Sequence, residues 1–521
     1  MKKNFLTVAA MAVVAFFVST EIAKAADITF SGQIRTRYEA AEHLNGAATN
    51  TTSAFNDATN ADDFIASSVR LNAHANINDS TSAFIQLQSN RTWGQSSGAT
   101  AVARTASALG GGGSGNASGT ANDGDASVGV HQAYFTLKNF ANLPVAMDAK
   151  VGRQEIILDG HRLFGNTVWT MGMQSHDAIV LSHKHDNMAL TLGYVLAQED
   201  GRNTDVNDAQ DNEVLLAHFN YKGILGGQFS AIYASLFNGC GGANTATAAN
   251  TLNCTLADND IHTIGGRQAG QLFGLDYRGE VYYQWGTADG TANGRAIQTT
   301  ADRTDRDAYM FGVRVGKSFN NVMFKPSVTL WYDYLSGTSD EDQRNGDWKS
   351  FNTLFDTGHK FYGLQDLFLG VGGGTGTGTR GLGLQDLAVK FKLNPMPGWT
   401  LKLAAHAFAT AEGPGASPTT AGYTSAGGST TGVNAGNNAD GYLGNEIDVT
   451  LVNKYNANTN IMIGFSNFNG TETFRNIKTT TAASQTIGSD DANWAYVQFD
   501  VKRSEERRVG KECRSRWSPY H

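Results

Sequence analysis

After Val18 the sequence has no apolar run near the ~18 residues that a membrane-spanning helix requires, so any bilayer crossing must use strands. Proline and cysteine are scarce, 7 and 3 in 521 residues, and only 17% of residues are charged. So few cysteines exclude a disulfide framework. Cys240 and Cys254 share a Gly/Asn/Thr-rich segment and either close a small loop disulfide or stay free thiols; no His or Cys beside them makes a zinc site. A GxxxxGK[ST] phosphate loop and a GxSxG nucleophile elbow are also missing, which removes support for an ATPase or a serine hydrolase. Gly376, Gly378 and Gly381 match a dinucleotide fingerprint in spacing, but without the strand–turn–helix unit that gives it chemistry. His161, His176, His183 and His185 have no serine motif near them, so no Ser/His/Asp set suggests itself.

Glycine is abundant, 60 residues, alongside Thr, Asn and Ala. Such a chain is poor in helix formers and rich in turn formers. Its mean hydropathy of −0.31 suits a barrel, where only one face of each strand is apolar. At the N-terminus, Lys2 and Lys3 precede an apolar run from Phe5 to Val18 and a small-x-small site, Ala23-Lys24-Ala25, so residues 1–25 read as a cleaved export signal. At the other end, residues 503–521 are strongly basic where the preceding chain is neutral and alternating. They resemble the in-frame translation of a sequencing adapter and are taken as non-native, rather than as a nucleic-acid- or lipid-binding arm. Without the signal and this tail the formal charge moves from −8 to −13.

Between these ends, residues 26–502 show about eighteen segments of roughly 8 to 14 residues with period-two alternation. Residues 28–38 put Ile28, Phe30, Ile34 and Tyr38 on one face and Thr29, Gln33, Arg35 and Arg37 on the other. Residues 65–77 repeat the pattern with Val69, Leu71, Ala73 and Ala75 against Arg70, Asn72, His74 and Asn76. Short connections such as 78–80, 184–187, 222–226, 320–321 and 394–398 take turns with long ones such as 94–127, 154–176, 238–260 and 336–382. That rotation predicts an all-β protein, a single transmembrane antiparallel β-barrel with short periplasmic turns, long extracellular loops and both termini in the periplasm. A soluble β-sandwich would not rotate its connections so strictly. Trp93, Trp285, Trp331, Trp399 and Trp494 lie near strand ends and suit interfacial girdles. The last strand ends at Lys502, where outer-membrane barrels usually continue to a terminal aromatic residue.

Parity then assigns the lumen. Arg35, Arg37, Arg70, Lys150, Arg278, Arg314, Lys325, Lys390, Lys392 and Lys402 face inward, against Glu39, Asp148, Asp276, Glu280, Asp333, Asp386, Glu446 and Asp448. This slight cationic excess in an acidic chain predicts an anion-tolerant lumen; alternatively, the charges pair across strands and stiffen the wall. Arg153 and Arg162 flank a block, residues 154–176, too polar and irregular for a lipid-facing strand, which is expected to fold inward as a constriction. Residues 351–366 read the same way, with His359 and Lys360 either contacting the pore or packing on its rim. Asp340, Asp342 and Asp347 are candidate oxygen ligands for Ca²⁺, although Phe351 stands where an EF-hand loop carries its last Glu.

Three blocks carry a family resemblance: ITFSGQIRTRYE at 28–39, VGRQEIILDGHRL at 151–163 and FNTLFDTGHKFYGLQDL at 351–367. Together they resemble the alginate-export family of outer-membrane porins over most of the chain. The resemblance implies a monomeric eighteen-stranded barrel in the bacterial outer membrane whose lumen conducts an anionic polysaccharide or a related solute outward or, in other members, takes up small substrates. The chain is thus expected to pass an anionic or polar saccharide or another small polar solute by passive diffusion, with membrane lipid and the barrel-assembly machinery as partners, no nucleic acid, and no cofactor other than Ca²⁺ at the acidic loop residues. The alternatives are a less selective general porin, or a barrel serving as platform for an adhesin or surface enzyme.

Overall fold

The computed structural model describes residues 27–42, 62–93, 128–198, 212–238, 260–288, 304–345, 347–369, 378–379, 381–413, 441–474 and 491–505. Its strands are β1 (Asp27–Glu42), β2 (Asp62–Asn76), β3 (Thr81–Thr92), β4 (Gly129–Leu137), β5 (Asp148–Gln154), β6 (His176–His185), β7 (Met188–Gln198), β8 (Asn212–Ile224), β9 (Gly227–Asn238), β10 (Ile261–Leu272), β11 (Leu275–Ala288), β12 (Thr304–Ser318) and β13 (Ser327–Leu335). The series continues with a two-residue β14 (Asp347–Trp348), then β15 (Leu384–Leu393), β16 (Trp399–Ala409), β17 (Tyr442–Lys454), β18 (Thr459–Gly470) and β19 (Asp491–Glu505). All but β14 form one antiparallel wall of eighteen strands, closed where β1 pairs with β19. β14 sits inside a long connection and pairs in parallel with the outer end of β12.

Closure satisfies every strand's backbone groups and leaves no edge, which a sheet in hydrocarbon requires. The side chains then sort by parity. On β1 the lipid-facing Phe30 and Ile34 are exposed at 56% and 54%, whereas Arg35 and Arg37 are buried at 4% and 5%. Tight hairpins lie at one end of the barrel. Leu225-Gly226 and Phe273-Gly274 have positive φ at both central positions, the pattern whose twist matches paired strands. Two inward glycines make room for aromatic rings across the strand: Gly265 lies opposite Tyr282, and Gly464 opposite Tyr496. In both, a Cβ would collide with the tyrosine ring.

The structure departs from the sequence reading at four places. β19 runs beyond the expected boundary at 502, with Arg503, Ser504 and Glu505 opposite Gly32, Ser31 and Phe30. Lys325 is in the exposed turn after β12 and not in the lumen wall, because that turn extends from 319 to 326 instead of two residues. Trp331 and Trp494 are not girdle residues: both lie on the inward parity and are buried. The extracellular half of the interior also holds an apolar core where only a polar lumen was expected, with Val195, Val214, Met310, Leu335, Phe408 and Phe468 packed together beside buried polar groups such as Asn90, Thr263 and Gln284. Residues 1–25, 506–521 and Cys240–Cys254 lie outside the described residues.

Filling either glycine notch should strain the wall. Gly464→Val, and independently Gly265→Val, are expected to destabilise the barrel by ~1–3 kcal/mol through overpacking, read as a lower urea midpoint of the heat-modifiable folded band.

Candidate functional site

Residues 155–175, between β5 and β6, leave the sheet and enter the barrel. A segment there must find partners for its backbone groups. The wall supplies them. Arg35 donates to the carbonyls of Val168 and Thr170 (2.5 and 3.0 Å), Arg37 to Trp169 (3.0 Å), Arg70 to Met171 (3.2 Å) and Gln88 to Gly172 (2.8 Å). The Arg37 guanidinium also lies 3.8 Å from the centre of the Trp169 ring and is ion-paired with Glu39. Arg35, Arg37 and Arg70 thus face inward as parity predicts, but their donors hold the loop.

Arg162 is a buried anchor, not a pore-lining cation, at 1% exposure. It bonds Glu280 at 2.9 Å, Asp333 at 2.6 Å and the Tyr362 hydroxyl at 2.8 Å, with Phe361 beneath its guanidinium. Burial opposes its charge, yet Asp333, Tyr362 and Glu280 hold it well above the usual arginine range. The second inward segment, 349–369, is fastened by Glu446, whose carboxylate accepts the backbone N–H groups of Leu364 (2.6 Å) and Gln365 (3.0 Å). The two segments are also joined to each other. Phe164 and Phe355 form a β-bridge, Thr357 N–H donates to the His161 carbonyl (3.0 Å), and Lys360 Nζ donates to the Gly160 carbonyl (3.1 Å). His359 pairs with Asp366 at 2.9 Å and stacks on Trp169 at 4.1 Å. Burial raises Asp366 against the pull of His359, and raises Asp356 to about 7 against Arg162 and Thr353.

Below this double loop lies a cavity of about 750 Å³ in the periplasmic half of the barrel. Lys360 and His359 form part of its roof, and Lys390, Lys392 and Lys402 stand on its wall with Arg35, Asp448 and Asp500. Lys392 and Lys402 are exposed and directly opposite each other on β15 and β16. Lys390 lies 4.1 Å from the centre of the Trp331 ring. Among the described residues, none of these three lysines has an ion-pair partner. Arg278 and Arg314 face inward higher up, near Glu280, and Arg314 and Lys390 both lie over Trp331. Lys150 also faces inward, over the Tyr134 ring at 3.9 Å. Arg153 does not line the pore. It is on the outward parity of β5, bonded to the exposed Asp177 across the strand at 2.8 Å, because the irregular block begins only after Gln154. Of the calcium candidates, Asp342 is occupied by Lys349 (2.6 Å) and Ser339, and among the described residues no cluster of three or more His, Cys, Asp or Glu is placed to hold a metal.

The sequence profile for alginate export matches residues 27–487. The chain belongs to the alginate-export family. It is therefore an outer-membrane channel-type barrel, located in the bacterial outer membrane. No match is found among curated proteins. Solved structures resembling this family member include Acinetobacter baumannii OccAB1 (13% identity, covering 92% of this chain and 97% of that one, TM-score 0.49). Pseudomonas aeruginosa OccK9 (OpdG) is similar at 11% identity (92% and 99% covered, TM-score 0.49), and OccK5 (OpdH) at 13% (92% and 98%, TM-score 0.45). These likenesses are too distant to inform cargo.

Several residues of this alginate-export-family barrel were not singled out by sequence. Arg267 faces inward opposite Glu280 and could have been found by carrying the β10 alternation through its glycines. Glu155 is held by His131 and Asn166; burial alone would raise its carboxyl, but these bonds bring it below the usual range. Asp159 takes bonds from His218 (2.9 Å) and Ser230 (2.7 Å). No local signal marks either as a loop tether.

Removing the Arg162 fork takes the short hydrogen bonds from two buried carboxylates and leaves them only the longer ion pairs to Arg278 and Arg314 (3.7–4.0 Å), at a cost of up to ~3–5 kcal/mol. Arg162→Met is expected to free the double loop, seen as larger and noisier single-channel currents and as new protease cleavage within 155–175. Asp356 has a folded-state value above its unfolded ~3.9, so the folded chain holds the extra proton between about pH 4 and 7. The stability it contributes is full below that window and lost as pH rises through 7. The difference in unfolding free energy between wild type and Asp356→Asn should therefore fall across that window.

Proposed function

We propose that this barrel lets an anionic or polar saccharide, or another small polar solute, diffuse passively across the outer membrane, and that it acts as a channel rather than an enzyme. The observation that carries this reading is the cavity wall beneath the double loop, where Lys392 and Lys402 are exposed and face each other without an ion pair, and Lys390 stands deeper among the carboxylates of Asp386 and Asp448. Two lysines directly opposite each other repel, and an anion bridging them would offset that cost. A charged, low-dielectric vestibule also raises the local concentration of counter-ions, which favours anions here. Family membership favours a monomer as the working unit.

The test is conductance of the refolded protein in planar bilayers under a KCl gradient, with uronate oligomers added. The reading expects an anion-biased reversal potential and current block by uronates. Lys390→Gln, Lys392→Gln and Lys402→Gln combined should abolish the bias and weaken block about tenfold, at ~0.5 kcal/mol per exposed ion pair. A cation-biased or unblocked current would overturn the anionic cargo and leave a less selective porin. Absence of any current would leave a barrel that serves as a platform.

A further inference from the structure

The periplasmic rim is not chemically uniform. The turns at 77–80 and 185–188 carry Asp79 and Asp186, as solvent-facing turns usually do. The three consecutive turns joining β8 to β9, β10 to β11 and β12 to β13 instead present Leu225, Phe273 (93% exposed) and Met323 (74% exposed), and the acid-free turns at 139–147, 394–398 and 455–458 likewise expose Val145, Met396 and Tyr455. Residues 224–227, 272–275 and 318–326 contain no acidic residue, and the exposed Lys317 and Lys325 stand at the last of these turns; Lys222 lies on the lumen parity of β8, opposite Gln228. Lys317 Nζ is 5.5 Å from the centre of the Phe319 ring.

Leu225 and Phe273 sit at φ of 48° and 52°, where a bulky side chain is sterically penalised and Asn or Gly would be easier. The Leu225 turn is tied to the neighbouring hairpin despite that: Gln268 Nε2 donates to the Ile224 carbonyl (2.8 Å), and the Tyr277 hydroxyl to the Leu225 carbonyl (2.7 Å). Apolar side chains are thus displayed at positions where the turn itself would favour something else.

Their depth identifies the occupant. Trp285 and Leu275 share the lipid-facing parity of β11 about 10 residues apart, which at ~3.3 Å per residue and a ~40° tilt spans about 25 Å, the height of the apolar band of such barrels. Trp285 lies in an aromatic group with Tyr283 and Tyr233 that suits the outer interface. The inner boundary then falls at Leu275, and Phe273 is at the headgroup layer. The rim also continues the lipid-facing wall directly, through Leu275, Val315 and Val328. We infer that these three turns form an anchor for anionic glycerophospholipid in the periplasmic leaflet: Leu225, Phe273 and Met323 enter the acyl boundary, and Lys317 and Lys325 meet the headgroup phosphates.

The test replaces Phe273 with the photoreactive p-benzoylphenylalanine in the full chain. The folded protein is irradiated in vesicles of equimolar phosphatidylcholine and phosphatidylglycerol, and in native outer membranes. Covalent adducts with the mass of a phospholipid are expected, with phosphatidylglycerol in several-fold excess over phosphatidylcholine. Lys317→Gln and Lys325→Gln combined should return that ratio to unity. Equal adducts in the wild-type background would overturn the headgroup assignment. Water-quenched probe alone, or a protein adduct in native membranes, would overturn the lipid assignment altogether. Should the Phe273 variant fail to fold, the same probe at the exposed Met323 gives the same readout.

Discussion

A segment of chain that leaves a sheet and enters a barrel carries its N–H and C=O groups away from any strand partner, and the interior of this protein is organised around satisfying them. Five successive carbonyls, from Val168 to Gly172, are met by side chains of β1, β2 and β3. Glu446 does the converse for two N–H groups of the second segment. Once both are tethered, Arg162 locks them to each other and to the wall. The apolar core of the upper interior is then a consequence: loops held at that depth are packed like a domain core, and side chains at the strand tops match them.

This division of labour separates the two kinds of cation. Arginine offers several donors in a rigid fork and can serve two carbonyls, or two carboxylates and a hydroxyl, from one position. Arg35 does the first and Arg162 the second, while Arg37 and Arg70 each join one loop carbonyl to side-chain oxygens of the wall. Lysine is a mobile point charge suited to water, and Lys392 and Lys402 stay exposed at the cavity wall, while Lys390 sits deeper, over Trp331 and among carboxylates. The lumen therefore has an arginine frame and a lysine lining, although simple counting makes them equivalent.

How much of this was legible in the sequence depends on range. Parity sorts the two faces of a strand because side chains alternate, so the inward placement of Arg35, Arg278 or Lys402 was readable, and the rotation of short and long connections showed the closed wall. Parity does not name partners. Arg162 and Asp333 are separated by 171 positions, and no local pattern encodes their meeting. The same blindness put Trp331 and Trp494 at the interface, since a tryptophan near a strand end looks alike whether it points to lipid or to the packed interior. Arg153 was misplaced for the opposite reason: strand parity already assigned it outward, and its nearness to an irregular block was given more weight.

The seam between β1 and β19 brings together residues such as Gln33 and Asp500, 467 positions apart. Until the last strand arrives, the first has an unpaired edge, and the cylinder is an open, curling sheet with sticky margins. Every other pairing in the wall joins neighbours along the chain, so this seam is the one contact that no local hairpin can supply. The first and last strands therefore protect each other's edges, and a chain lacking either would leave a margin of unpaired N–H and C=O groups in hydrocarbon.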